Sequence, residues 1–219
     1  MKLSKIVKIK PKISDNHFRV AIFGSARAQK NKTTYNMVYT LAKMIAKEEI
    51  DLVTGGGLGL MEAASRGHYA GRKSMLNKSH SIGLTIKLTH EQITGYHLDI
   101  EKDFNKFSGR LDKFMQLSNV IVVAPGGIGT ILELFYSWQL LQVKHICDNV
   151  PIILLGEMWK GLIEWIKKQP LKKDLLNKED FNNIFIVNNC QEAIKIIKNS
   201  KEEFNKGSKN ICLNLKKYK

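Results

Sequence analysis

Cysteine is scarce in this chain. Cys147, Cys190 and Cys212 are an odd number with no CxxC spacing, which argues against a disulfide framework or a zinc knuckle and fits a reducing cytoplasm. Long apolar runs are missing too. No window approaches the ~18 apolar residues of a membrane span, and the basic N-terminus never reaches a continuous apolar h-region, so a soluble, cytoplasmic protein without a membrane partner is expected. The six histidines, His17, His68, His80, His90, His97 and His145, show no HxxxH or HExxH spacing, and no metal site is expected from them. No nucleophilic triad is legible, and no lysine lies in a context that would bind pyridoxal.

Negative charge is also in short supply, with 20 acidic against 35 basic residues and a net charge of +15. Most of the excess sits within residues 1–19 and 167–219, and nearly all of it is lysine. A surplus placed at the ends reads as a solvated basic surface. Aromatic residues make up only 8%, with no stacking platform interleaved among the lysines, so single-strand nucleic-acid binding is the least favoured reading.

What the chain does contain is an alternation of short apolar runs and helical periodicity. Strands are expected at 19–24, 50–53, 81–86, 96–100, 119–123, 151–155 and 184–187. Helices are expected at 62–70, 103–117, 131–143, 158–168 and 191–204. Another is capped by Thr33 or Thr34 and carries Met37, Val38, Leu41, Met44 and Ile45 at helical spacing. This is the pattern of an α/β fold, a doubly wound and mostly parallel sheet with helices on both faces. One domain over 18–205 is expected, with a basic lead-in at 1–17 and a lysine-rich tail at 206–219.

Two strand ends carry glycine turns. The first, TGGGLGLM over 54–61, lacks the Lys-Ser/Thr of a Walker A loop, so magnesium-triphosphate chemistry is not expected. The second, PGGIGTILE over 125–133, opens a helix with free backbone N–H groups at its positive end, a place for a phosphate. It adds the hydroxyl of Thr130 and the single carboxylate of Glu133. Arg110, with Lys113 one turn on, precedes the strand that leads into this turn and is a candidate to close over a bound anion.

Taken together, FGS at 23–25, TGGGLGLM at 54–61, Arg110 and PGGIGTILE at 125–133 resemble the LOG ("lonely guy") family, cytokinin riboside 5′-monophosphate phosphoribohydrolases often labelled lysine decarboxylases. The resemblance implies a Rossmann-like enzyme without a cofactor. Its reaction would be hydrolysis of the N-glycosidic bond of a nucleoside 5′-monophosphate, AMP or a cytokinin riboside monophosphate, to free base and ribose 5-phosphate. It also implies a homodimer or larger assembly. Glu133 and Arg110 would be the catalytic pair, and Gly126, Gly127, Gly129 and Thr130 would hold the phosphate. Ser25, Gly55, Gly56, Gly57, Gly59 and Met61 would line the rest of the pocket. The family's usual Arg-Lys pair is here Arg110-Leu111, and its double glutamate is Leu132-Glu133, which keeps a non-catalytic nucleotide or cofactor carrier open as the second reading.

Overall fold

The computed structural model describes residues 17–75, 77–86, 97–146 and 149–207. Most of the expected basic lead-in, the tail from 208, His90, Cys147 and Cys212 lie outside the described residues.

Seven strands form one sheet: β1 (Arg19–Phe23), β2 (Asp51–Thr54), β3 (Ser81–Ile86), β4 (Ile100–Phe104), β5 (Val120–Val123), β6 (Ile152–Leu155) and β7 (Ile184–Val187). All neighbouring pairs are parallel, in the order β4-β3-β2-β1-β5-β6-β7. Among the described residues there are six α-helices, α1 (Thr33–Lys47), α2 (Leu60–Lys73), α3 (Phe107–Leu117), α4 (Ile128–Gln142), α5 (Met158–Lys168) and α6 (Cys190–Asn205); the first five run between strands and α6 follows β7.

The two-residue period of a strand sends alternate side chains to opposite faces. Val20, Ile22, Val120 and Val122 join the core beneath α1, α2 and α6, while Ala21, Phe23, Ile121 and Val123 join the core beneath α3, α4 and α5. Both faces are therefore sealed, and the central strands read as continuous apolar runs for that reason. The strand order reverses between β1 and β5, so their following loops diverge and leave a crevice at the carboxyl ends of the strands. Register across this junction is direct, with Val20 opposite Val120 and Phe23 opposite Val123.

Four expectations need correction. The fourth strand is Ile100–Phe104 rather than 96–100, and residues 87–96 lie outside the described residues. As the edge strand it exposes Glu101, Lys102 and Asp103, so it has no continuous apolar run to announce it. The helix expected from 103 begins at Phe107 because 103 and 104 belong to that strand. Neither Thr33 nor Thr34 caps α1; Lys32 occupies the cap position with no side-chain hydrogen bond. The glycine-bearing helix α4 starts at Ile128, three residues earlier than its apolar periodicity suggested, because Gly129 lies inside the first turn.

Candidate active site

The crevice between the halves of the sheet is an open cleft of about 1080 Å³, ample for a small-molecule ligand of nucleotide size. Its walls come from the loops after β1, β2 and β5 and from the start of α3. Of the residues singled out from sequence, Ser25, Gly55, Gly56, Gly57, Met61, Arg110, Gly127, Gly129, Thr130 and Glu133 all line it. Gly59, Gly126 and Lys113 do not belong to its lining. The Lys113 Nζ group bonds Gln116 Oε1 on its own helix at 3.2 Å.

The two glycine turns divide their work. At the start of α2, the Leu60 N–H already donates to the Ser25 carbonyl at 2.9 Å. Glu62, buried in the first turn, supplies a negative charge there, held by Lys30 at 3.0 Å and Arg66 at 3.5 Å. Gly59 has φ +64, and a Cβ there would stand 2.6 Å from the Ala26 backbone, so it is required for the close approach of two loops. The start of α4 is different. Gly127 occupies the cap position with no side-chain hydrogen bond, the first turn holds no acidic residue, and Gly127 and Gly129 face open space. The start of α4 therefore brings uncapped N–H groups and the positive end of the helix dipole to the cleft wall, an arrangement that favours an anion.

The loops are tied across the crevice. The Ser25 N–H donates to the Pro125 carbonyl at 3.1 Å, and Ser25 Oγ accepts from the Arg27 N–H at 3.1 Å. The first glycine turn carries Arg110: a Cβ on Gly55 would overlap the guanidinium, so the bare backbone lets the arginine lie flat against the turn. Arg110 Nε donates to the Leu84 carbonyl at 2.7 Å and the guanidinium lies 5.4 Å from the Phe114 ring centroid. Its position is fixed from three sides before any ligand arrives.

Glu133 stands across from it, with Oε1 3.8 Å from Arg110 Nη2. The two side chains are only 13% and 11% exposed. Burial pushes the Glu133 carboxyl up to about 7, while the Arg110 charge pulls in the opposite direction; burial lowers Arg110 from its usual value. A carboxyl poised near neutrality beside a fixed guanidinium is suited to proton transfer or to stabilising developing positive charge.

Sequence reasoning missed part of the cleft. Thr85, Glu101, Asp103 and Phe107 line it from β3, β4 and the start of α3, and Thr85 Oγ1 hydrogen bonds the Asp103 carboxylate. Only Ile100 and Phe104 of β4 are apolar, so no apolar run pointed to its two carboxylates. Neither departure from the family pattern enters the cleft: Leu111 is buried in the core and Leu132 is exposed on α4. The structure also gathers His17, Asp51 and His80 into one group, although the histidine spacing gave no hint of it.

Comparison with known proteins agrees with the motif. The family model described as "Possible lysine decarboxylase" matches residues 61–197. The pyrimidine/purine nucleotide 5′-monophosphate nucleosidase of Escherichia coli is 31% identical over 132 residues, covering 58% of this chain and 28% of the relative. A probable cytokinin riboside 5′-monophosphate phosphoribohydrolase of Oryza sativa is 31% identical over 136 residues, covering 60% of this chain and 62% of the relative. The matched stretch thus spans about a quarter of one relative's length and three-fifths of the other's. Among solved structures, the molybdenum cofactor carrier protein of Chlamydomonas reinhardtii shares the fold with a TM-score of 0.61 at 23% identity, covering 85% of this chain and 99% of that one. With the glycine turns, the Arg110–Glu133 pair and a family match over most of the sheet in agreement, the chain belongs to the LOG family, the group described as possible lysine decarboxylases.

Proposed function

We propose that the chain is a nucleoside 5′-monophosphate phosphoribohydrolase, hydrolysing the N-glycosidic bond of AMP or a related monophosphate, cytokinin riboside monophosphates included. The observation that carries this reading is the placement of Glu133 and Arg110 in the same cleft as the uncapped start of α4. Gly129 and Glu133 are four residues apart on α4, so they share one helix face about 6 Å apart along its axis. A phosphate held by the N–H groups around Gly127, Gly129 and Thr130 leaves the attached ribose within reach of the carboxylate.

In the reaction the C1′–N bond breaks and its electron pair leaves with the base. A water oxygen bonds to C1′, and one water proton ends on the base. The sugar becomes oxocarbenium-like at the transition state, and a carboxylate beside it stabilises that charge and accepts the water proton. Glu133 fills this role. Arg110, fixed by the Leu84 carbonyl and the Gly55 backbone, orients the phosphate or ribose and keeps a positive charge against the carboxylate. Gly126 supports the cradle from behind, since a Cβ there would overlap the Thr130 side chain.

The active unit in this reading is a homodimer. Ile128, Leu132 and Phe135 are exposed along α4, a helix whose opposite face is buried through Leu134, Trp138 and Leu141. Ile128 also lines the cleft, so a second copy seated on this stripe would border the site. Such an apolar face on a cleft-lining helix suits a self-associating surface.

The test is incubation of the protein with AMP, GMP, CMP, UMP, IMP and a cytokinin riboside monophosphate, followed by chromatography for free base. Release that disappears in Glu133→Gln supports the hydrolase. Tight nucleotide binding with no release from any substrate overturns it in favour of a non-catalytic carrier.

A further inference from the structure

At the end of the sheet opposite the cleft, three adjacent strands begin side by side. Asp51 opens β2, His17 lies two residues before β1, and His80 lies one residue before β3. Asp51 is held by main chain through both its carboxylate and its backbone. Its Oδ1 accepts the His80 backbone N–H at 2.8 Å, and the Asp51 N–H donates to the Phe18 carbonyl at 3.2 Å. His17 Nδ1 stands 3.1 Å from Asp51 Oδ2 and His80 Nδ1 stands 3.7 Å from Asp51 Oδ1. One ligand atom from each of the three residues lies within 4.8 Å of the others.

We propose that His17, Asp51 and His80 form a binding site for a divalent transition-metal ion of the zinc type, which pins the starts of β1, β2 and β3 to one another. Two imidazoles and a carboxylate are a donor set such ions accept, with water in the remaining position. Bonds of about 2.1 Å at tetrahedral angles place ligand atoms about 3.4 Å apart; the 3.1 Å and 3.7 Å separations lie on either side of that value, each to a different oxygen of the Asp51 carboxylate. The remaining closure falls to the imidazoles, whose ring centroids are 6.2 Å apart. His17 and His80 are 45% and 29% exposed, whereas Asp51 is 4% exposed. An ion can thus reach the group from solvent while the carboxylate stays anchored.

The other charge on this carboxylate is the Arg19 guanidinium, with Nε 3.5 Å from Asp51 Oδ2. It opposes a cation, and it does so most for ions that depend on oxygen and net charge alone. The site therefore takes zinc or cobalt through its imidazoles and rejects magnesium and calcium, which need more oxygen ligands.

The test uses Co2+ with the full chain lacking any histidine tag. Titration should give visible d–d absorption saturating at one ion per chain, displaced by Zn2+ and unaffected by Mg2+. His17→Asn and His80→Asn should each weaken Co2+ binding by at least about tenfold. His17 lies half-exposed ahead of β1, so its variant keeps the fold; circular dichroism checks this for both. Zn2+ should raise the melting temperature of the unmutated chain and leave that of His17→Asn unchanged. Absence of a Co2+ band, or unchanged affinity in both variants, overturns the site.

Discussion

Replacing Glu133 by glutamine should stabilise the protein while abolishing catalysis, and the stabilisation should depend on pH. A carboxyl that titrates near 7 in the folded chain and near its ordinary value of 4.5 when unfolded is bound by more protons in the folded state across that interval. Its contribution to stability is fully present below pH 4.5 and is lost as pH rises through 7. The loss is about 3 kcal/mol by pH 8, from about 1.4 kcal/mol for each tenfold separation of the two equilibria. Glutamine has no such titration. Against this, the amide stays buried and Arg110 loses a countercharge 3.8 Å away, which together offset about 1 kcal/mol. A net gain of about 2 kcal/mol at pH 8 corresponds to a melting temperature higher by about 4–8 °C for a chain of this size. Near pH 5 the gain should vanish or reverse. Thermal melts of both proteins at pH 5, 6, 7 and 8 measure the difference directly, and terms independent of pH cancel from its slope. A difference that stays flat from pH 5 to 8 would refute the idea that burial holds the Glu133 carboxyl protonated near neutrality.

The same titration should appear in kinetics: with Glu133 working as a carboxylate, kcat/KM for a nucleoside monophosphate rises about tenfold per pH unit below 7 and levels off above it. Arg110→Gln removes the charge that lowers the Glu133 value, so its residual activity should inflect at higher pH, and an unmoved inflection would count against the pairing. Gly55→Ala puts a methyl where the Arg110 guanidinium and the Met61 sulfur now lie; kcat/KM should fall by about 100-fold, the scale of a misplaced catalytic group. Ile128→Asp with Leu132→Asp charges the exposed stripe of α4 and should shift the protein from dimer to monomer in light scattering, whereas an unchanged mass would place any self-association elsewhere.

The central strands were legible because burial on both faces writes an uninterrupted apolar run, as at 120–123 and 152–155. The main catalytic candidates were legible because a glycine turn leading into a helix, followed by Glu133, has few other uses. The edge strand β4 was not, since only Ile100 and Phe104 need be apolar there, and with it went Glu101 and Asp103. The distinct roles of the two glycine turns were also hidden: both read as ligand loops, and only the packing shows that Gly59 serves the approach to Ala26 and Gly55 makes room for Arg110 at the cleft wall, while Gly127 and Gly129 face open space. His17, Asp51 and His80 are far apart in sequence and meet only because β1, β2 and β3 are neighbours, a relation no local spacing encodes.

The junction of β1 with β5 has a consequence for how the protein comes into being. Arg19 N–H bonds the Asn119 side chain at 2.8 Å across 100 residues of chain, and Ser25 is tied to Pro125 across the same span. A nascent chain can therefore build β1, α1, β2 and α2 early, from contacts close in sequence, but its cleft has no second wall until β5 and α4 have been synthesised. Closing so long a segment is slow compared with forming a helix pair. The order of assembly should be scaffold first and site last, and a ligand that occupies the cleft should act on the final docking step and leave the earlier ones untouched.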